Sequence, residues 1–455
     1  MILLAGQPIL TAAEMRAAEA ASGIAVDALM ARAGAAIADA VRRLAAGAEV
    51  LMLCGPGNNG GDGYVAATRL AAAGLAVRVA AAAPPRSAAA EQARAGWTGP
   101  VEAIADAAPA PVLVDALFGT GLTRPLDDAL AADLRRLATA ARLVIAVDLP
   151  SGVVTDDGAL LGEPPRCHVT LALGAAKPAH LLQPAARYAG AIRLLDIGVS
   201  AKAAAKVIAP PSLKRPGPDS HKYSRGMVAV VPGSMAGAGE MAAIAALRAG
   251  AGYALLLTDT PGAPHAIVRK AFNADALAND KIGAVVIGPG LGRDDEAAHR
   301  VGAAFAGGRP LVIDGDALHI VDIARMSGHS AAMILTPHGG EFAALFGTPT
   351  TDKITATRAA AKAANAVVIH KGADTVIAAP DGRVTVAGDA NDWLSTAGSG
   401  DVLAGTTGAM LAAGGDPFAA AEAAVWLHAE AARRSGAAFI ADDLAEALTP
   451  ARASL

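Results

Sequence analysis

Cysteine is scarce: Cys54 and Cys167 are the only two in 455 residues. Two cysteines build no disulfide framework, so a reducing cytoplasm is the expected setting. Aromatic residues are 3% of the chain, too few for platforms on which nucleic-acid bases stack. A basic excess is missing as well. Lys and Arg number 38 against 42 Asp and Glu, a net charge of −4, which gives nothing to neutralise a phosphate backbone. Long hydrophobic runs are absent even though mean hydropathy is +0.40. A spanning helix needs ~20 consecutive apolar residues. The apolar stretches here, such as Val50–Cys54, Val112–Leu117, Leu143–Val147 and Ala284–Ile287, are short and end in glycine, proline or charge. Met1–Leu10 carries no basic segment ahead of an apolar one, so no secretory signal is expected. Neither nucleic acid nor membrane is an expected partner.

What is abundant is aliphatic: hydrophobic residues are 53% and charged residues 18%, enough for a substantial core of Ala, Val, Leu and Ile. The length suits two domains. Thr11-Ala-Ala-Glu14 reads as a capping box that opens a helix. An Ala-rich helix follows over about Val26–Leu44. Short strands and helical stretches then alternate: Val50–Cys54, a Gly-rich turn over Gly55–Gly63, a helix over Tyr64–Ala73, and strands at Ala76–Ala81, Val112–Leu117, Leu143–Val147, Val169–Leu173 and Ile192–Leu195. This order predicts a doubly wound, Rossmann-like α/β sheet. The segment from Ala209 to Asp219, rich in Pro and charge, predicts a boundary. A second β/α series begins at Met227–Val231. Its strands are Ala254–Thr258, Ala284–Ile287, Leu311–Ile313, Met333–Leu335 and Val367–His370, with a hairpin of Thr375–Ala378 and Arg383–Val386 and closing helices from Asp401.

Three strand ends in the first half carry polar groups. Gly55-Pro-Gly-Asn-Asn-Gly-Gly-Asp-Gly63 is neither GxGxxG nor GxxxxGK[ST], so it gives no generic dinucleotide or P-loop assignment. Its glycines would let backbone N–H groups face an anion at a helix N-terminus; an ordinary tight turn is the alternative. Asp115 and Asp148 end the next two strands, where the ligand crevice of an open parallel sheet lies. Taken singly, each could be a helix cap.

GPGNNGGDGY, DALFGTGL and VDLPSG, in this order and spacing, resemble the NAD(P)H-hydrate epimerase domain, over about residues 1–210. The resemblance implies that Asn58, Asn59, Gly60, Gly61 and Asp62, together with Gly119, Thr120, Gly121, Leu122, Thr123, Arg124 and Pro125, bind the hydrated cofactor. It implies potassium at Asn59, Asp115 and Ser151, and Asp148 as the substrate-contacting acid and base. One carboxylate suffices for the chemistry. The ring nitrogen expels the C6 hydroxyl to leave an iminium, and water returns on either face.

In the second half Val231-Pro-Gly-Ser-Met-Ala-Gly-Ala-Gly-Glu240 and Ile287-Gly-Pro-Gly-Leu-Gly292 are further strand-to-helix turns. Thr336-Pro-His-Gly-Gly-Glu341 and His370-Lys-Gly-Ala-Asp-Thr375 put polar groups beyond strands. Thr396-Ala-Gly-Ser-Gly-Asp401 is the strongest signal. Gly398 and Gly400 free the backbone to wrap an anion ahead of a helix, and Asp401 can accept a hydroxyl proton or cap the helix. GSGD resembles the ribokinase superfamily. With HKYSRG, GPGLG, TPHGGE and KGADT it narrows to the ADP/ATP-dependent NAD(P)H-hydrate dehydratase domain, placed at 220–455 after a linker at 211–219. The resemblance implies that Ala238, Gly290, Gly292, His338 and Asp401 contact the hydrate. Lys371, Gly372, Ala373, Asp374, Thr375 and Gly400 contact the nucleotide. Asp148 and Asp401 are the catalytic candidates.

The implied whole is a bifunctional isomerase and lyase. One half equilibrates R- and S-NADHX or NADPHX. The other dehydrates the S form with ADP or ATP and magnesium, releasing AMP or ADP and phosphate. A homo-oligomer is expected. A ribokinase-like kinase of vitamin precursors and a non-catalytic scaffold are the competing readings. Asn391–Leu394 departs from the pattern and stays unassigned. His180, His265, His299, His319 and His428 are expected on surfaces or helices, Cys54 as a buried small residue, and Trp97 and Trp426 as packing groups.

Overall fold

Thr11 caps the first helix, Ala12–Ala21. Its hydroxyl accepts from the Glu14 N–H at 3.3 Å while the Glu14 carboxylate accepts from the Thr11 N–H at 2.8 Å. This reciprocal pair satisfies two of the orphan donors at a helix start. The computed structural model describes residues 1–388 and 391–455. The chain divides into two compact units, Met1–Val207 and Ile208–Leu455.

In the first unit seven parallel strands run in the order Val101–Ala103, Val77–Ala81, Val50–Cys54, Val112–Ala116, Leu143–Val147, Val169–Leu173, Ala191–Leu195. Both faces of the sheet are covered, which is why its central strands are apolar but for Asp115 near the end of Val112–Ala116. Met52, Cys54 and Val114 face a core shared with Ile37, Val41 and Tyr64 of the helices Val26–Ala45 and Asn58–Ala72. Leu51, Leu53 and Leu113 face the opposite core, with Leu134 and Leu137 of the helix Asp128–Ala140. Val50–Cys54 lies between the next strand in sequence and Val112–Ala116, so the order reverses there. That switch point opens the crevice beyond the carboxyl ends.

The helix after Val50–Cys54 starts at Asn58, six residues before the expected Tyr64. The motif's glycines are therefore helical, and packing selects them. A Cβ on Gly60 would lie 1.9 Å from the Gly55 carbonyl oxygen, and one on Gly61 2.6 Å from the Met30 side chain. Close packing, of Gly60 on the turn and of Gly61 on the neighbouring helix, rather than freedom to wrap an anion, accounts for both residues.

The second unit repeats the plan. Its strand order is Val384–Ala387, Thr375–Ala378, Val367–His370, Met333–Leu335, Leu311–Ile313, Ala284–Ile287, Met227–Val231, Tyr253–Leu256, Val268–Arg269. The first two form the expected antiparallel hairpin, and Thr375–Ala378 also pairs antiparallel with Val367–His370; the other pairings are parallel. The reversal falls at Met227–Val231. One face is covered by the helices Ala238–Ala249, Ser399–Ala412, Pro417–Ser435 and Ala441–Ala453. The Pro-rich segment packs onto this unit: Leu213 lies against its core and Arg452 donates to the Lys214 carbonyl at 3.1 Å. Among the described residues no helix is long and apolar enough to cross a membrane.

Candidate active sites

The crevice of the first unit is a cavity of about 690 Å³ lined by Asn58, Asn59, Asp62, Gly119–Arg124, Asp148, Glu19 and Lys177, among others. Gly57 caps the helix Asn58–Ala72 without a side-chain bond, which leaves first-turn N–H groups for an anion. Asp148 follows Leu143–Val147 with φ 64°, a left-handed conformation that turns the chain across the strand end. It is 5% exposed, and both of its carboxylate oxygens are occupied. One accepts from Lys177 Nζ at 2.6 Å and the Leu173 N–H at 3.2 Å; the other accepts from the Thr120 hydroxyl at 2.5 Å and its N–H at 3.2 Å. Burial pushes this carboxyl up, but the Lys177 ammonium and the Thr120 hydroxyl outweigh it and hold it at about 2. Gly119 has no Cβ because one would sit 2.9 Å from Asn59 Oδ1 and 3.1 Å from Asp148 Oδ2.

Asp115 is fully buried. It accepts from the Ser151 hydroxyl at 2.7 Å, the Ser151 N–H at 2.9 Å and the Leu117 N–H at 3.1 Å. Burial raises its pKa, and these bonds offset that only in part. Among the described residues the buried Nδ2 of Asn59 has no hydrogen-bond partner.

In the second unit Asp314 ends Leu311–Ile313 and is 3% exposed. It accepts from Lys371 Nζ at 2.7 Å and the Thr336 hydroxyl at 2.6 Å. Lys371 is also 3.7 Å from Glu341. His338 caps the helix Gly339–Phe346: its Nδ1 accepts from the Gly340 and Glu341 N–H groups, while Glu341 accepts from the His338 N–H. Lys353 clasps the loop after Val367–His370 through Asp374 at 2.6 Å and the Lys371 carbonyl at 3.3 Å. Within that loop the Thr375 hydroxyl donates to the Gly372 carbonyl at 2.8 Å. Gly290 (φ 59°) abuts Ala238, where an added Cβ would come within 2.8 Å. Gly398 (φ 85°) opens the helix Ser399–Ala412 without a side-chain cap. Asp401 lies in the first turn of that helix and makes no side-chain hydrogen bond among the described residues. Burial first, then the Asp314 carboxylate, raise it to about 6 against the pull of Lys371. A carboxyl near neutrality suits a general base better than a cap.

A family model described as NAD(P)H-hydrate dehydratase matches residues 228–451, and one described as YjeF-related protein N-terminus matches 26–179. A bifunctional NAD(P)H-hydrate repair enzyme of Pyrobaculum aerophilum is 34% identical over 92% of this chain and 92% of its own. That of Gloeobacter violaceus is 35% identical over 96% of each. The chain belongs to the family of bifunctional NAD(P)H-hydrate repair enzymes. It is thus an isomerase and lyase of NAD(P)H-hydrate repair, as the sequence motifs imply. An ADP/ATP-dependent NAD(P)H-hydrate dehydratase of Bacillus subtilis, crystallised with ATP and Mg2+, is 26% identical. It covers 53% of this chain and 94% of its own, with a TM-score of 0.47.

Of the residues expected in the repair sites, Asn58, Asn59, Asp62, Gly119–Arg124 and Asp148 share one cavity, and Asp115 pairs with Ser151. Lys371, Gly400 and Asp401 gather around Asp314. His338 is exposed at its helix start. Lys177, Thr336, Asp314 and Lys353 were not anticipated as site residues. Asp314 carries the strand-end signature already recognised for Asp115 and Asp148. Of the two settings expected for His180, surface or helix, it takes the second: it closes the short helical turn Pro178–His180 and is 2% exposed. Its Nδ1 accepts from the Lys177 N–H at 2.9 Å, so Nε2 carries the proton and donates to the Asp148 carbonyl at 2.6 Å. Burial, then Lys177, lower it to about 4 and keep it neutral. His428 is likewise buried, bonded to the Ser399 carbonyl at 2.9 Å. Asn391 anchors its short turn by donating to the Ala432 and Gly436 carbonyls.

Proposed function

We propose that the first unit interconverts R- and S-NAD(P)HX and that the second dehydrates the S form at the expense of ADP or ATP. The observation that carries the second assignment is Asp401, a partly buried carboxyl free of hydrogen bonds at an uncapped helix N-terminus. Asp401 takes the proton of the C6 hydroxyl as that oxygen attacks the terminal phosphorus. The N–H groups after Gly398 and the Lys371 ammonium receive the charge that develops on the phosphoryl oxygens. Phosphorylation turns a poor leaving group into a good one. The ring nitrogen then expels phosphate, and loss of the C5 proton restores the dihydropyridine. Ala238, Gly290, Gly292 and His338 hold the hydrate; the loop from Lys371 to Thr375, braced by Lys353, holds the nucleotide.

Two ions belong to this reading. Asp115 and Ser151 are paired at a buried strand end with no cationic side-chain partner among the described residues, and with Oδ1 of Asn59 they are the oxygen ligands of this reading. Such a set suits a large monovalent cation, and potassium would supply the missing counter-charge. No cluster of three or more His, Cys, Asp or Glu fit for a metal occurs among the described residues. Magnesium would enter with the nucleotide, held through its phosphates and the Asp314 carboxylate, where it would neutralise phosphoryl charge.

The test supplies S-NADPHX with ADP or ATP and follows NADPH absorbance, then supplies a single epimer without nucleotide and follows the R/S ratio. NADPH formation and nucleotide-independent interconversion are expected. Accumulation of a stable phosphorylated product without NADPH would replace this reading with that of a small-molecule kinase.

A further inference from the structure

Asp148 is crowded with donors, whereas another carboxyl in the same cavity has none. Asp62 sits in the first turns of the helix Asn58–Ala72, 8% exposed, lining the cavity. Its side chain makes no hydrogen bond or ion pair among the described residues. A carboxyl on the cavity wall with no protein partner is free to engage a ligand in that cavity. Of the glycines around it, Gly60 packs on the Gly55 carbonyl and Gly63 on Ala116 and Cys54, with no room for a Cβ, and this fixes the helix turn from which Asp62 projects.

We propose that Asp62 is the proton donor to the departing C6 hydroxyl in epimerisation, and that Asp148, with both oxygens filled by Lys177, Leu173 and Thr120, serves only as an acceptor. The inference rests on the reading that the first unit is the epimerase. The C6–O bond breaks as the ring nitrogen's lone pair forms the C=N bond of the iminium, and the oxygen leaves as water with the Asp62 proton. The planar ring turns about its bond to the ribose. Water then adds to the other face and returns one proton to the Asp62 carboxylate, so the enzyme ends as it began. Asp148, ionised throughout, lies in the same cavity as the transient positive charge.

The electrostatic setting agrees. Burial first, then the Asp148 and Glu19 carboxylates, push Asp62 well above the ordinary range. Burial also raises Glu19, with Lys177 and Arg16 opposing. The charged groups that line the cavity are Arg16, Glu19, Arg124, Asp148 and Lys177. Environments that drive two carboxyls apart in this way separate the donor from the acceptor.

The experiment compares the full-length wild type with Asp62→Asn, starting from a single NADPHX epimer and resolving R from S by chromatography. Asp62→Asn should lower kcat by about 10²–10⁴-fold with KM little changed. Near-wild-type interconversion by Asp62→Asn overturns the inference, as does the same kcat loss in Glu19→Gln with Asp62→Asn unaffected. Should Asp62→Asn fail to fold, the wild-type pH profile decides. A kcat that falls with rising pH, at a midpoint above the ordinary carboxyl range, supports a neutral carboxyl donor. A kcat that stays flat or rises across the same range removes it. A wild type that does not interconvert the epimers overturns instead the assignment of epimerisation to this unit.

Discussion

The base role proposed for Asp401 requires its carboxyl to be ionised, and its neighbours decide when that is. Its carboxyl titrates at about 6 because burial and the Asp314 carboxylate both disfavour the charged form, with Lys371 acting against them. The raised value means that the proton is held to higher pH, so kcat/KM for dehydration should climb with pH through about 6 and level off above it. Asp314→Asn removes the like charge and leaves Lys371 in place. The Asp401 proton then leaves more readily, and the acid limb should shift to lower pH even as maximal activity drops. Profiles of kcat/KM for the two proteins, taken with saturating donor, are the measurement. An unmoved limb would mean that another group sets it.

At the scale of the element, small residues govern how near the site helices come to one another. Ser399–Ala412, which presents Asp401, packs on Ala238–Ala249, which presents Ala238. Gly405 is the point of closest approach: a Cβ there would stand 2.0 Å from the Ala242 carbonyl oxygen. Gly405→Ala must push the helices apart. Overpacking of this kind costs ~1–3 kcal/mol, so the urea midpoint should fall and dehydration with it; an unchanged midpoint would show slack at the contact. The same small residues limited what could be read from sequence. Strands such as Val50–Cys54, Leu143–Val147 and Leu311–Ile313 are legible because burial on both faces leaves continuous aliphatic runs between turn residues. The helix starting at Asn58 was not, because Gly60, Gly61 and Gly63 read as loop while their role is contact. The strand-end carboxylates Asp115 and Asp148 were visible through the switch-point rule. Their partners were not: Lys177 reaches Asp148 from 29 residues away and Lys371 reaches Asp314 from 57, and no local pattern encodes such pairings.

At the scale of the whole molecule each unit has its own core and its own switch point, so the two half-reactions should be separable by single substitutions. Asp401→Asn keeps the size of the side chain but cannot accept the hydroxyl proton. Dehydration should fall by about 10²–10⁴-fold, with nucleotide affinity and epimerisation retained. Asp148→Asn should do the reverse, since Asn cannot form the ion pair with Lys177 that orders the first cavity. Presented with R-NADPHX, ADP and magnesium, Asp401→Asn should equilibrate the epimers without making NADPH. Asp148→Asn should make NADPH only as fast as the S form arises unaided. The decisive sample is the mixture of the two variants. The S-hydrate released by the intact first unit of one chain is the substrate of the intact second unit of the other, so NADPH formation should return at a rate set by the concentrations of intact sites. Absorbance at the NADPH band follows it directly. Failure of the mixture, with each variant active in its own half-reaction, would show that the hydrate does not pass between chains through solution and that the two sites must belong to one polypeptide.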